Sequence, residues 1–161
     1  FMGTGKTYWG RLWAREHQMD FFDLDTVIEA TTGLTIPAIF EQHGEQYFRE
    51  KERELLHSFA DKHNFILSTG GGTPRFFNNM GWVNEHGLTV YPQNPGSILK
   101  KRLISEKDHR PLIKDLTDDE IENFIETRLK ERSRFYSSAR LIFSTESITD
   151  TTFTEIKRFY V

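Results

Sequence analysis

Cysteine is absent from this sequence of 161 residues, and so is any long apolar run. Without cysteine, the chain has no disulfide scaffold, no thiolate metal site and no cysteine nucleophile. No segment approaches the roughly 20 consecutive apolar residues of a membrane span, and the N-terminus lacks the pattern of a secretory signal. The net charge of -3 gives no reason to expect a nucleic-acid partner. We therefore expect a cytoplasmic protein that binds neither membranes nor nucleic acids.

Internal repeats and Gly/Ser/Pro-rich linkers are also absent, so we predict a single domain over residues 1–161. Hydrophobic residues make up only 37% of the chain, but aromatic residues make up 14% and supply volume for a core. Short apolar segments typical of buried strands alternate with segments of helical periodicity. The predicted strands are 21–24, 65–68, 88–91 and 141–144. This alternation predicts an α/β fold, with a parallel sheet covered by helices on both faces.

Helix start and stop signals divide the remaining segments. Thr35, with Pro37 in the first turn, predicts a helix start, and Gly44 is expected to end that helix. Thr117 and Glu120 have the spacing of a capping box. The other predicted helices follow Lys6, cover 45–62 and 98–103, run from 117 to about 134, and run from a cap at Asp150 or Thr151 to Tyr160.

The first residues match a phosphate-binding loop, except that its first glycine would precede Phe1. Glycines let backbone N–H groups converge on phosphate oxygens, the lysine reaches the phosphates, and the threonine hydroxyl holds Mg²⁺. The loop residues are Gly3, Thr4, Gly5, Lys6 and Thr7. A buried strand runs directly into such loops, so we expect an upstream strand that this sequence does not contain. The alternative is a glycine-rich turn that precedes a helix by chance.

Further motifs follow the loop in a characteristic order. They are FDLDTVIE at 22–29, GEQYFR at 44–49, GGG at 70–72, RPL at 110–112 and Arg132 four residues before Tyr136. In this order the motifs resemble the shikimate kinase family, and the resemblance covers essentially the whole chain. It implies a three-layer P-loop kinase fold with a parallel, roughly five-stranded sheet whose first strand is missing here. It also implies a monomer that uses ATP and Mg²⁺.

Asp23 and Asp25 lie two residues apart at the end of a predicted strand. In an extended strand both side chains would point the same way. The resemblance implies that Asp23 helps to hold Mg²⁺ and that Asp25 accepts a hydrogen bond from the reacting hydroxyl, as a general base or as an orienting group. The alternative is a surface turn with two solvated carboxylates, and this would be the simpler interpretation if the phosphate loop were absent.

Two arginines are candidates for binding the substrate carboxylate, because a planar guanidinium matches a carboxylate bidentately. Glu52 lies three residues after Arg49 and can pair with it. The resemblance implies that Arg49 and Arg132 bind the carboxylate of shikimate. The alternative for Arg49 is an exposed helical ion pair of little energetic value. Other basic residues surround Arg132, and only its spacing to Tyr136 favours it.

Gly70 and Gly71 follow a predicted strand, where bare backbone N–H groups can approach a substrate oxygen. The alternative is a flexible connection. The resemblance implies an acceptor-binding region over about 25–55 and a mobile lid over about 105–117, in which Arg110 covers the phosphates. Arg102 would lie near the adenine. The alternative for the lid is a solvated loop of alternating charge.

The resemblance implies a function and leaves others open. It implies ATP-dependent phosphorylation of the 3-hydroxyl of shikimate, a step toward chorismate and the aromatic amino acids. The alternatives are a gluconate kinase, a nucleoside-monophosphate kinase and a catalytically silent nucleotide-binding domain. The catalytic groups would be Lys6, Asp25 and Arg110.

Overall fold

The computed structural model of the protein describes residues 1–110, 112–149 and 151–160. The chain divides into two compact units. The first unit contains residues 6–86, and the second contains residues 1–5 together with the described residues from 87 onward. The single domain over residues 1–161 stays a prediction. In the described part of the chain, no helix combines the length and the apolar character that a membrane span needs.

The first unit is built on two parallel strands that end together. Its strands are β1 (Asp20–Asp23) and β2 (Phe65–Ser68), and its helices are α1 (Lys6–Glu16), α2 (Leu24–Thr32), α3 (Ile36–His57) and α4 (Asn79–His86). In the register of the pair, Asp20 lies opposite Phe65 and Asp23 lies opposite Ser68. The carboxyl ends of both strands therefore meet at one edge, which is where ligands bind in open α/β sheets.

Local capping signals set the boundaries of α2 and α3. Asp23 caps α2 with its carboxylate, and Gly33 ends that helix with a φ of 71°. Thr35 caps α3 as predicted, with its hydroxyl accepting from the Ala38 N–H. Gly44, with a φ of 80°, interrupts α3, so the predicted break is confirmed. The helix then continues to His57, and the prediction that it reaches residue 62 is wrong, because turns follow from Ser58.

The core of the first unit lies between α2, α3 and β2. The fully or nearly fully buried side chains are Leu24, Ile28, Ile39, Phe48 and Leu56. Leu24 was expected in a strand, but it begins α2, because the Asp23 cap ends the extended segment and starts a helix. The sequence motifs did not predict α2 or α4.

The second unit also carries a parallel strand pair. Its elements are β3 (Val90–Gln93), α5 (Gly96–Ser105), α6 (Asp118–Tyr136), β4 (Leu141–Ser144) and α7 (Thr152–Tyr160). The capping box predicted for α6 is present in full. Its core comprises the side chains of Phe1, Leu99, Leu103, Ile113, Ile121, Ile125 and Tyr136. For α7, Asp150 lies outside the described residues.

The strand predicted at 88–91 is shifted and includes Pro92. Proline is tolerated inside this strand for a geometric reason. Thr89 and Gln93 direct their carbonyl groups to β4, where they accept the N–H groups of Leu141 and Thr145. Because backbone groups alternate along a strand, the Pro92 nitrogen points away from β4, and its missing N–H breaks no bond of this pair. Parallel pairing is confirmed, while a five-stranded sheet stays a prediction.

Candidate active site

A hydroxyl and a carboxylate meet at the carboxyl edge of β1 and β2. The Thr7 Oγ1 donates to Asp23 Oδ2 over 3.0 Å, and it lies 3.5 Å from the Ser68 hydroxyl oxygen. Oxygen ligands of this kind suit Mg²⁺, which typically takes one or two protein ligands and completes its shell with phosphate and water. Thr7 and Asp23, the two predicted metal residues, are therefore in contact and fit the ion. Among residues 1–110, 112–149 and 151–160, no group of three or more histidine or acidic side chains offers a protein-only metal site.

Asp25 lies in the first turn of α2, and the expectation of an extended backbone from Asp23 to Asp25 is wrong. The Asp25 N–H donates to Asp23 Oδ1 over 3.2 Å, so Asp23 uses one carboxylate oxygen as a helix cap and the other for Thr7. This double engagement fixes Asp23. The helical turn also places the Asp25 carboxylate in a half-buried position next to other acidic groups.

The environment of Asp25 raises its pKa from 3.8 to about 6. Burial is the largest cause, and the negative charges of Asp23 and Glu52 add to it, whereas the charge of Lys6 opposes the shift. A carboxylate with a pKa in this range is ionised at neutral pH and is a stronger proton acceptor than an ordinary aspartate. Asp25 thus has the properties of a general base or of a hydroxyl-orienting group.

Arg49 is held by a buried carboxylate, so the alternative of an exposed ion pair does not describe it. Its Nη1 donates to Glu52 Oε2 over 2.8 Å, and the Glu52 side chain is 1% exposed. Its Nε and Nη2 reach Glu45 Oε1 at 3.2 Å and 3.3 Å, but the Glu45 side chain is 58% exposed. The guanidinium also lies over the Phe76 ring, with Cζ 4.1 Å from the ring centre. The Nη1 edge of the guanidinium is therefore fixed by Glu52. The edge formed by Nε and Nη2 contacts the exposed Glu45, which a ligand carboxylate can replace.

The glycine run after β2 brings Asp25 and Arg49 to one turn. A Cβ on Gly70 would lie 3.2 Å from Asp25 Oδ1 and 3.3 Å from Glu52 Oε1. A Cβ on Gly72 would lie 3.0 Å from Arg49 Nη2. Gly71 stands between these two positions in the sequence. Glycine is required at both positions because charged side chains approach the backbone closely there. A side chain at Gly70 would crowd Asp25 and Glu52, and one at Gly72 would crowd Arg49.

The predicted phosphate loop has the backbone that its glycines allow. Gly3 and Gly5 have φ values of 74° and 82°, and α1 begins directly afterwards at Lys6. Thr4 is fully buried, and its hydroxyl donates to the Phe1 carbonyl over 2.9 Å. Arg102, which the resemblance placed near the adenine, donates from Nη1 to the Gly3 carbonyl over 3.0 Å. A loop held at both Thr4 and Gly3 is pre-organised.

The predicted lid is anchored through Ile113 and Leu116, which pack in the core of the second unit. Arg110 forms an ion pair with Glu106, and its Nε donates to Glu106 Oε2 over 3.1 Å. Ile113 is fully buried in the core of the second unit, whereas Leu112 is 71% exposed. Pro111 of the RPL motif lies outside the described residues. The Arg110–Glu106 ion pair is partly exposed to solvent, so its loss would cost little free energy.

Arg132 lies on α6 and is half-buried. Its Nε is buried, and none of the residues that the structure describes accepts a hydrogen bond from it. The Arg132 side chain also hydrogen-bonds the Tyr136 side chain, but a buried N–H without an acceptor is costly, so a ligand oxygen at Nε would be stabilising. This observation fits the predicted role of Arg132 in binding an anion.

Thr73 and Phe76 are parts of this site that the motifs did not indicate. The Thr73 hydroxyl donates to Glu52 Oε1 over 2.6 Å, and Phe76 stacks on Arg49. The one available signal was position, since Thr73 directly follows the glycine run.

The sequence model of the shikimate kinase family matches residues 2–160. A shikimate kinase from Phocaeicola vulgatus is 41% identical over 150 residues, which cover 93% of this chain and 86% of that protein.

The chain belongs to the shikimate kinase family.

Solved structures agree with this membership. The crystal structure of the shikimate kinase from Bacteroides thetaiotaomicron has a TM-score of 0.88 and 37% identity, and the match covers 98% of this chain and 91% of that one. The shikimate kinase from Acinetobacter baumannii in complex with shikimate has a TM-score of 0.82 and 31% identity, and the match covers 98% and 86% of the two chains. The α/β P-loop kinase fold implied by the motifs is thereby confirmed.

Proposed function

We propose that this protein transfers the γ-phosphoryl group of ATP to the 3-hydroxyl of shikimate. The observation that carries the proposal is the glycine turn at 70–72, with Asp25 at one end and Arg49 at the other. Shikimate carries a carboxylate and hydroxyl groups on one small ring. A site that binds it must therefore place a cation and a hydrogen-bond acceptor for a hydroxyl a short distance apart. Family membership supports the same acceptor over gluconate or a nucleoside monophosphate.

Arg49 binds the acceptor carboxylate in this proposal. Its Nη1 stays on Glu52, which fixes the guanidinium plane. The exposed Glu45 occupies the other edge, and an exposed i,i+4 ion pair contributes only about 0.3–0.5 kcal/mol. The carboxylate of shikimate therefore replaces Glu45 at little cost and gains a bidentate pair. Arg132, with its unpaired Nε, stays the predicted second cation for that carboxylate.

Asp25 accepts the hydrogen bond of the reacting hydroxyl. Its raised pKa makes it a better proton acceptor than an ordinary aspartate while it remains ionised at neutral pH. Phosphoryl transfer has a loose transition state, so holding the hydroxyl in line with the phosphorus contributes more than early proton removal. Asp25 thus orients the nucleophile first and receives its proton as the bond to phosphorus forms.

The phosphate side of the site rests on the loop and on Thr7. Gly3, Thr4 and Gly5 direct backbone groups to the phosphates, and Lys6 extends to the transferring group. Thr7 and Asp23 would hold Mg²⁺, which neutralises charge on the phosphates when it is bound. Arg110 leaves Glu106 and stabilises the charge on the transferring group as the lid closes.

An acceptor comparison tests the proposal. ADP release is followed with Mg-ATP and, separately, shikimate, gluconate and AMP. Turnover with shikimate alone is the expected result. Turnover with gluconate or AMP instead would keep the phosphate loop and refute the acceptor assignment. We also propose that the enzyme is a cytoplasmic monomer, and light scattering during gel filtration measures its oligomeric state.

A further inference from the structure

Thr73 occupies a buried position directly behind the acceptor site. It is 1% exposed, and its hydroxyl donates to Glu52 Oε1 over 2.6 Å. Its backbone is fixed as well, since its carbonyl accepts from the Asn79 side chain over 3.0 Å and its N–H donates to the Gly70 carbonyl over 3.2 Å. The hydroxyl is therefore presented to Glu52 by a rigid segment.

Glu52 divides its two carboxylate oxygens between two partners. Oε1 accepts from Thr73 and Oε2 accepts from Arg49 Nη1 at 2.8 Å. A buried carboxylate is costly unless its oxygens are hydrogen-bonded, so Glu52 depends on both donors. Without the Thr73 hydroxyl, the carboxylate is free to rotate toward other donors, and the Arg49 guanidinium loses its fixed plane.

The same contacts connect Thr73 to the reacting end of the site. A Cβ on Gly70 would lie 3.1 Å from Thr73 Oγ1, 3.2 Å from Asp25 Oδ1 and 3.3 Å from Glu52 Oε1. These three oxygens therefore surround one backbone position. A shift of the Glu52 carboxylate would therefore change the orientation of Arg49 and the contacts of the glycine turn next to Asp25.

We propose that Thr73 is a positioning residue for the acceptor, whose hydroxyl orients Glu52 and, through it, the Arg49 guanidinium that receives the substrate carboxylate. The inference rests on the proposed function, because it assigns Thr73 to the binding of shikimate. A positioning role and a purely structural role predict different effects on substrate binding. A structural residue would affect ATP and shikimate alike, whereas a positioning residue affects shikimate.

The test compares Thr73→Val, Thr73→Ser and Thr152→Val in steady-state kinetics. Valine keeps the branched shape and removes the hydroxyl, whereas serine keeps the hydroxyl. Thr152 is the matched control, because its buried hydroxyl accepts from the Thr149 N–H at 2.9 Å at the start of α7 and belongs to none of the predicted binding regions. Circular dichroism establishes that each variant is folded, and calorimetry measures shikimate binding directly.

We expect Thr73→Val to raise the KM for shikimate about tenfold while the KM for ATP changes less than about twofold. Thr73→Ser is expected to keep the KM for shikimate near that of the wild type, and Thr152→Val is expected to leave both constants unchanged. If Thr73→Val does not fold, Thr73→Ala carries the same expectation, since alanine also lacks the hydroxyl.

Two results would overturn the inference while the proposed function stands: an unchanged KM for shikimate in Thr73→Val, or equal losses for shikimate and ATP. A wild-type protein that releases no ADP with shikimate would instead overturn the proposed function, and this inference with it.

Discussion

Replacing Asp25 by asparagine is expected to stabilise the fold while it removes turnover. Burial, together with the charges of Asp23 and Glu52, raises the pKa of Asp25 from 3.8 to about 6. The folded chain therefore ionises this carboxyl less readily than the unfolded chain does. Asparagine has nearly the same shape and carries no charge, so it removes the unfavourable ionisation and also the hydroxyl acceptor.

The size and the pH range of the effect follow from linkage. Above a pH of about 6 the carboxyl is ionised in both states, and the raised pKa of Asp25 corresponds to at most about 3 kcal/mol of lost stability. Between 3.8 and about 6 the folded chain binds more protons, so stability falls as pH rises. Below 3.8 both states are protonated and the cost disappears. The gain from Asp25→Asn is therefore large at pH ~8 and near zero at pH ~3.5.

Urea denaturation followed by tryptophan fluorescence measures this difference in the free energy of unfolding. Wild type and Asp25→Asn are compared at both pH values, with Asp61→Asn as the control, because Asp61 is an exposed carboxylate of the same unit. The control is expected to show no gain that depends on pH. A gain for Asp25→Asn of equal size at both pH values, or a loss at pH ~8, would refute the reasoning from the raised pKa.

Three further predictions concern turnover and binding. The kcat/KM for shikimate should fall as the pH is lowered through about 6, because Asp25 must be ionised; a flat pH profile would argue against Asp25 as the acceptor. Arg49→Ala should weaken shikimate binding on the order of 100-fold, since it removes charge-assisted hydrogen bonds. Calorimetry checks this, and an equal loss of ATP binding would disprove the assignment. Lys6→Ala should abolish ADP release with an unchanged circular dichroism spectrum, and retained turnover would exclude Lys6 from catalysis.

Features that depend on neighbouring residues could be predicted from the sequence. The capping box of Thr117 and Glu120 is present, Gly44 interrupts α3, and β2 has the predicted bounds. Each depends on the backbone conformation or hydrogen bonds of a few adjacent residues, and those are properties of the local sequence. The pairing of Arg49 with Glu52 is also local, because three residues separate partners on one helix face.

Features that depend on distant contacts could not be predicted. Pro92 is tolerated in β3 because its nitrogen points away from β4, and only the pairing shows which way it points. Thr73 reaches Glu52, which lies 21 residues earlier, and Phe76 stacks on Arg49 across the same fold. The apolar residues before Asp23 are typical of a strand, so the sequence predicts an extended segment through Asp25. It does not show that Asp23 caps a helix that begins at Leu24. Motifs located the candidate residues, and tertiary packing determined how they are held.

The position of the transferred phosphate is the most direct test of the proposed reaction. The product formed from Mg-ATP and shikimate is analysed by phosphorus and proton NMR, with Asp25→Asn as the inactive control. A single phosphomonoester on the 3-hydroxyl, formed in step with ADP, is the predicted result. Phosphate on another hydroxyl, or ADP release without phosphorylated shikimate, would contradict the assignment of Asp25 and Arg49 to the acceptor.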